Sequence, residues 1–200
     1  MSVFERICSR FCGGNLITPV DVSALLKTLL VEYFSSSENI LIPALRERLV
    51  SESNKPIIIE SSQAYLPDSA GFRPSILVVR GPWQVNRLGI GTGQVFNSTP
   101  TQYARTITGQ HNIVCIGKLP TETDLLATEV FLFLTTIEPI VLRTLPISIF
   151  QAMGMTEIKA IKEGRDHYLV EIPVQYHFEI MWAVDITGAT TTTTTTTESP

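Results

Sequence analysis

The sequence predicts an α/β fold of the α+β kind: a mixed, mainly antiparallel sheet backed by two principal helices and completed by a long C-terminal strand. Three observations carry that expectation. From Tyr168 to Ile186 every second residue is apolar: Tyr168, Val170, Ile172, Val174, Tyr176, Phe178, Ile180, Trp182, Val184 and Ile186. Period two marks a strand with one buried face, and the β-branched and aromatic character of the set strengthens it. Two earlier stretches, one after Thr18 and one after Thr121, instead repeat apolar side chains at helical spacing. Between the helical stretches lie short β-rich runs separated by Gly, Pro and polar residues.

The first 17 residues show no period and break at Gly13-Gly14, so residues 1–17 are expected to form an arm outside the domain. The first helix has strong start signals: Thr18 as N-cap, Pro19 at N1 and Asp21 at N3, close to a capping box. Val22, Leu25, Leu26, Leu29, Tyr33 and Phe34 build its apolar face, and Ser35-Ser36-Ser37 ends it. A shorter helix, Ala44 to Val50, enters through Pro43. Ile57 to Glu60 reads as a short strand. Ser75 to Arg80, a Gly81-Pro82 turn and Trp83 to Ile90 read as a hairpin. Gln94 to Thr101 reads as an exposed loop, with separate strands at Tyr103–Thr108 and Asn112–Gly117.

The second helix is expected to be capped by Thr121, with Glu122 and Asp124 favourable at its positive end. Glu122, Glu129, Thr136 and Arg143 recur every seven residues and predict one narrow polar stripe on an otherwise apolar helix. Pro139 should end or kink it. A short helical piece at Ile147–Met153 closing on Gly154 follows. Thr156–Lys162 is then a strand that a turn at Gly164 pairs with the long one. At ~3.3 Å per residue the long run reaches roughly 60 Å, so it bends or projects beyond its domain, and Pro173 marks a break or a sheet edge. The domain thus spans 18–187. Gly188, Ala189 and the threonine run Thr190–Thr197 have no apolar face to bury, so 188–200 is expected to be a disordered tail.

Two hundred residues, 44% of them hydrophobic, suffice for one domain with a real core. A net charge of −4 and a pI near 5.4 disfavour nonspecific binding to nucleic acid or membrane surfaces. Three cysteines, Cys8, Cys12 and Cys115, do not make a disulfide framework and point to a reducing compartment. The charged start MSVFERICSRF does not read as a signal peptide. The apolar stretch Leu125–Phe150 is interrupted by Glu129, Glu138, Pro139, Arg143 and Pro146, and reads as a buried helix rather than a bilayer span.

No motif for chemistry emerges. Gly89-Ile-Gly91-Thr-Gly93 matches neither phosphate-binding glycine pattern. Cys8 and Cys12 lack a second ligand pair, and His111, His167 and His177 are scattered. Glu171, Gln175, Glu179 and Asp185 line one face of the long strand, which reads as a solvated face. The residues are spent instead on edges and faces that another chain would complete.

The succession of a Thr18–Phe34 helix, the segment Arg80-Gly-Pro-Trp83, the strand His111-Asn-Ile-Val-Cys-Ile-Gly117, a helix beginning Thr121-Glu-Thr-Asp-Leu-Leu-Ala-Thr-Glu129 and the terminal Val174-Gln-Tyr-His-Phe-Glu-Ile-Met-Trp182 resembles the tail-terminator, or tail-completion, proteins of long-tailed bacteriophages. The likeness covers roughly residues 18–187 and is one of architecture. It implies a non-enzymatic virion protein without cofactor or metal, assembled in the host cytoplasm as a hexameric ring. Such a ring caps the tail tube, and the sheath where the tail contracts, and meets the head–tail connector or adaptor proteins. DNA passes through its centre without specific binding, and no membrane is involved. In that frame Arg73, Arg80, Trp83 and Arg87 are candidate interface residues, since Arg and Trp are enriched among interface anchors. Glu171, Glu179 and Asp185 are candidate lumen-facing acids that would repel phosphate. Alternatives are another phage neck or head-completion adaptor, or a soluble α/β enzyme or ligand-binding domain.

Overall fold

The computed structural model describes residues 18–51, 57–61, 74–86, 93–95, 101–161, 167–184 and 191–193. They form an α+β fold in which helices α1 (Pro19–Phe34), α2 (Pro43–Ser51) and α3 (Pro120–Thr144) accompany an eight-stranded sheet. Its strands are β1 (Ile58–Ser61), β2 (Ser75–Asn86), β3 (Gly93–Val95), β4 (Thr101–Gly117), β5 (Ile149–Ala152), β6 (Lys159–Ile161), β7 (His167–Val184) and β8 (Thr191–Thr193). The main order is β1-β2-β4-β7-β5; β3 joins β4, and β6 and β8 join β7. Only β1 and β2 run parallel, so the sheet is mixed and mainly antiparallel.

The spine is β4 against β7, paired without interruption from Thr101–Val184 to Gly117–Tyr168. The alternation in β7 is realised as read: Val170, Ile172, Val174, Tyr176 and Phe178 are buried, and the intervening residues are half-exposed or exposed. Ile107, His111, Ile113 and Cys115 of β4 share that inner face with Ile76 and Val78 of β2. Leu25, Leu26, Leu29 and Leu30 of α1 and Leu126, Val130, Leu134 and Ile137 of α3 close the same core.

Pro173 causes no break. Met153 donates its N–H to the Pro173 carbonyl, so the side of Pro173 that lacks a donor faces the outer edge of β7 rather than β4. There β5 has just left and β6 has not yet joined. A missing N–H costs least at such a local edge. At the other end, β3 pairs with Gln102–Ala104 and β8 with Trp182–Val184. The spine therefore carries a four-stranded ribbon beyond the buried Phe178.

Thr18 caps α1 as expected. Its hydroxyl accepts from the Asp21 N–H, and the Asp21 carboxylate accepts from the Thr18 N–H at 2.9 Å. Ser35 is the C-cap. Elsewhere the structure corrects the reading. Residues 75–86 are one strand, not a hairpin: Gly81-Pro82 is a bulge, since Arg80 faces His111 and Trp83 faces Gly109. The two intervening residues oppose Gln110 alone, and a Cβ on Gly81 would lie 2.7 Å from the Gln110 carbonyl oxygen. Likewise Tyr103–Thr108 and Asn112–Gly117 are parts of one strand. Gly93–Val95, at the start of the predicted loop, pairs with β4.

The N-cap of α3 is Leu119, not Thr121, and Pro120 takes N1. No side chain caps the end; Glu122 reaches back to the Lys118 N–H at 3.2 Å. Pro139 does not end the helix either. Thr135, whose carbonyl loses its bond to Pro139, is exposed, while Ile137, Val141 and Leu145 anchor the turns around it in the core. By length and composition α3 is long and apolar enough to cross a membrane; here it packs on β4, β5 and β7. Residues 149–152 are a strand rather than helix, and Gly154, at φ +132°, turns the chain beyond it. Within the stretch expected to be disordered, Thr191–Thr193 pair with β7; threonine's β-branched side chain suits that role.

Candidate functional site

Two polar constructions sit in the apolar interior. The first is Glu129 on α3, which has no exposed surface. Its carboxylate accepts from the Leu41 N–H at 2.6 Å, the Ile42 N–H at 2.9 Å and the Tyr33 hydroxyl. The four-residue stripe is thus not a solvated face. A seven-residue repeat drifts by about 20° per heptad on a straight helix. Glu122 and Glu129 accordingly lie buried, while Thr136 and Arg143 reach solvent. What Glu129 meets is the turn between α1 and α2, whose main-chain donors would otherwise be orphaned. Tyr33 stacks on Phe133 with ring centroids 4.1 Å apart. Burial, then the neighbouring Glu129, pushes the Tyr33 hydroxyl well above its usual range.

The second is a chain of hydrogen bonds across the inner face of the sheet. Trp83 Nε1 donates to Tyr176 Oη at 2.6 Å, Tyr176 Oη meets His111 Nδ1 at 2.9 Å, and His111 Nε2 meets Ser23 Oγ at 2.6 Å. Ser23 also donates to the Pro19 carbonyl at 3.0 Å. A serine hydroxyl against a histidine nitrogen is the arrangement that nucleophilic catalysis uses. Here one assignment of hydrogens gives every group a partner: the Tyr176 oxygen accepts from Trp83, which can only donate, Tyr176 O–H donates to Nδ1, Nε2–H donates to Ser23, and Ser23 O–H donates to the Pro19 carbonyl. Burial, with Arg80 beside it, pushes His111 down to about 4, and burial pushes Tyr176 up to about 12.

A pH dependence follows. The unfolded histidine, with its ordinary pKa of 6.5, binds a proton between pH 6.5 and 4 that folded His111 refuses. Stability is full above pH 6.5 and falls as the pH drops toward 4. Between pH 7 and pH 5 the loss from this group is about 2 kcal/mol. Urea denaturation at the two pH values should show it, and His111→Gln, which keeps one acceptor and one donor, should largely abolish the difference.

The candidate interface residues are not gathered into one patch. Arg80 is exposed, whereas Trp83 turns inward, 5.1 Å from Phe178 between ring centroids, with its N–H used by Tyr176. Arg73 and Arg87 lie outside the described residues, as do Cys8, Cys12, Gly89, Gly91, Gly164 and Asp185. Glu171 and Glu179 share the outward face of β7, separated by eight residues and so by about 26 Å. Gln175 and His177, linked at 3.0 Å, stand between them, so the face is mixed polar rather than an acidic stripe. Cys115 is buried and free, its thiol pushed up by burial. Among the described residues no group of three or more His, Cys, Asp or Glu is placed to hold a metal ion.

Sequence reasoning did not find the outer edge of the sheet. From Leu145 to Thr156 there is no charged residue. Ile147 and Phe150 point into the core, while Ile149, Met153, Met155 and Ile158 are exposed, Met153 by 56%. Main-chain bonds from Met153 to Pro173 and from Thr156 to Glu171 hold this irregular segment along β7. The signal is an uncharged run of apolar residues whose spacing also fits the helical period expected for Ile147–Met153. No protein-family model matches the chain, and no curated protein matches it.

Proposed function

We propose that this protein is a structural subunit that completes its sheet through copies of itself, and that it serves as a bacteriophage tail terminator. In this reading six copies form a ring that caps the tail tube, and the sheath of a contractile tail. The ring receives the head–tail connector or adaptor proteins on its other side, and DNA passes through the middle. It is a virion component of the tail neck, assembled in the host cytoplasm, without catalytic residues.

The observation that carries the proposal is the uncharged edge at β5 and residues 153–156. Edge strands of isolated proteins are guarded by charge, proline or a covering segment, because their free N–H and C=O groups recruit other strands. Here Ile149, Met153 and Met155 stand exposed along such an edge with no charge between Leu145 and Thr156. The β3-β4-β7-β8 ribbon beyond Phe178 adds two further short outer strands, β3 and β8. A mixed polar face bearing Glu171 and Glu179 suits a channel that does not hold DNA.

Light scattering after size exclusion, with and without purified tail tubes, tests this. A closed ring is expected, either free in solution or formed on the tube end. Met155→Glu combined with Ile149→Lys should leave the melting temperature within about 3 °C, as expected for exposed sites, and abolish the ring. A particle that stays monomeric in both settings, or a ring unaffected by the double variant, overturns it.

A further inference from the structure

Between α1 and the β1–β2 side of the sheet lies a cleft of about 170 Å³, its apolar walls formed by Val20 and Val78 and its polar groups by Ser23, Lys27, Ser61 and Arg80. Its electrostatics run against those of the whole chain, which carries net charge −4. Two cations line it, and neither Lys27 nor Arg80 has a carboxylate partner among the described residues. The nearby acids are directed elsewhere. Asp21 is held by the Thr18 cap. Glu60 sits next to Ser61 on β1 and so points to the opposite face of the sheet, in register with Leu77.

The Gly81-Pro82 bulge directly follows Arg80, whose backbone is set opposite His111, so its side chain leaves the sheet on the face that carries Val78. Two uncompensated positive charges over apolar walls attract a compact anion more strongly than the same charges in open water. The planar fork of arginine adds a bidentate geometry matched to carboxylate and phosphate oxygens.

We propose that this cleft is an oxyanion-binding site: Arg80 grips a single phosphate or carboxylate group, Lys27 balances its charge, and the Ser61 hydroxyl donates to it. The site is independent of the assembly role proposed above, since it is built wholly within one chain. The bound anion also lies one side chain from the hydrogen-bond chain, because Ser23 lines the cleft and contacts His111. Neutralising Arg80 removes the positive charge that disfavours protonation of His111, so binding makes that imidazole easier to protonate.

The test is an amide-resolved NMR titration of the full chain with inorganic phosphate, with acetate, and with chloride at matched ionic strength. Saturable shifts centred on Ser23, Lys27, Ser61 and Arg80 are expected for phosphate, acetate or both, and none for chloride. Saturation by phosphate alone assigns a phosphate group, and equal saturation by acetate assigns a carboxylate. Arg80→Gln and Lys27→Gln should each weaken binding at least tenfold, with the spectrum otherwise unchanged because neither side chain is buried. Shifts that follow ionic strength for all three salts, or saturable binding that survives both substitutions, overturn the proposal.

Discussion

Replacing Glu129 by alanine is expected to cost about 3–5 kcal/mol, the range found when one member of a buried polar set is removed and its partners are stranded. The Leu41 and Ile42 N–H groups and the Tyr33 hydroxyl all lose their acceptor, at a side chain with no exposed surface. For a chain of this length the melting temperature should fall on the order of 10 °C. Tyr33→Phe removes one donor and leaves the carboxylate two others, so about 1–2 kcal/mol is expected. The double variant should cost clearly less than the sum, because both changes break the same bond. Chemical denaturation of the four proteins measures all of this. A Glu129→Ala loss below 1 kcal/mol would show that the turn between α1 and α2 is held by something else.

Gly109→Ala should be nearly as damaging. A Cβ at this position would lie 2.6 Å from Trp83 Nε1 and would also run into the ring of Tyr176. Neither neighbour can retreat cheaply. Tyr176 is fully buried between Trp83 and His111, and hydrogen bonds hold it on both sides. Overpacking of this severity costs about 3 kcal/mol, and the Trp83–Tyr176 bond would be displaced with it. Tyr176→Ala is itself costly because it opens a cavity, yet it removes the nearer obstacle and frees Trp83, which remains 2.6 Å from the new Cβ, from its hydrogen bond. Gly109→Ala should therefore cost clearly less on the Tyr176→Ala background than in the parent protein. Tryptophan fluorescence and urea midpoints of the three variants decide it; additive losses would place the strain elsewhere.

These two sites show where sequence reasoning succeeds and where it stops. Alternation in β7 and the Thr18–Asp21 capping box are local signals, decided within a few residues of themselves, and the structure realises both. Gly81-Pro82 and Gly109 are also local signals, but ambiguous ones. A glycine followed by proline suits a turn as well as a bulge, and only the unbroken partner strand β4 makes it a bulge. Gly109 lies between the two strands expected at Tyr103–Thr108 and Asn112–Gly117, whereas what requires a glycine there is an aromatic ring that arrives from β7, 67 residues later in the chain. Glu129 carried the correct period but the wrong environment, since nothing in α3 itself announces that the turn near Leu41 will cover it. Residues 147–153 have apolar spacing compatible with either period, and the vacant edge of β7 decides for strand. The Ser23–His111–Tyr176–Trp83 chain was invisible for the same reason: its members come from four separate elements.

The uninterrupted register of β4 with β7 has a mechanical consequence. All 17 residues of β4 are matched to one strand, so a pull along β7 loads every rung of the ladder together instead of peeling them one after another. Tension entering at the Val184 end is shared by the whole length of the sheet before it reaches the helices. A part built this way resists being drawn out lengthwise far better than it resists being unzipped from its side.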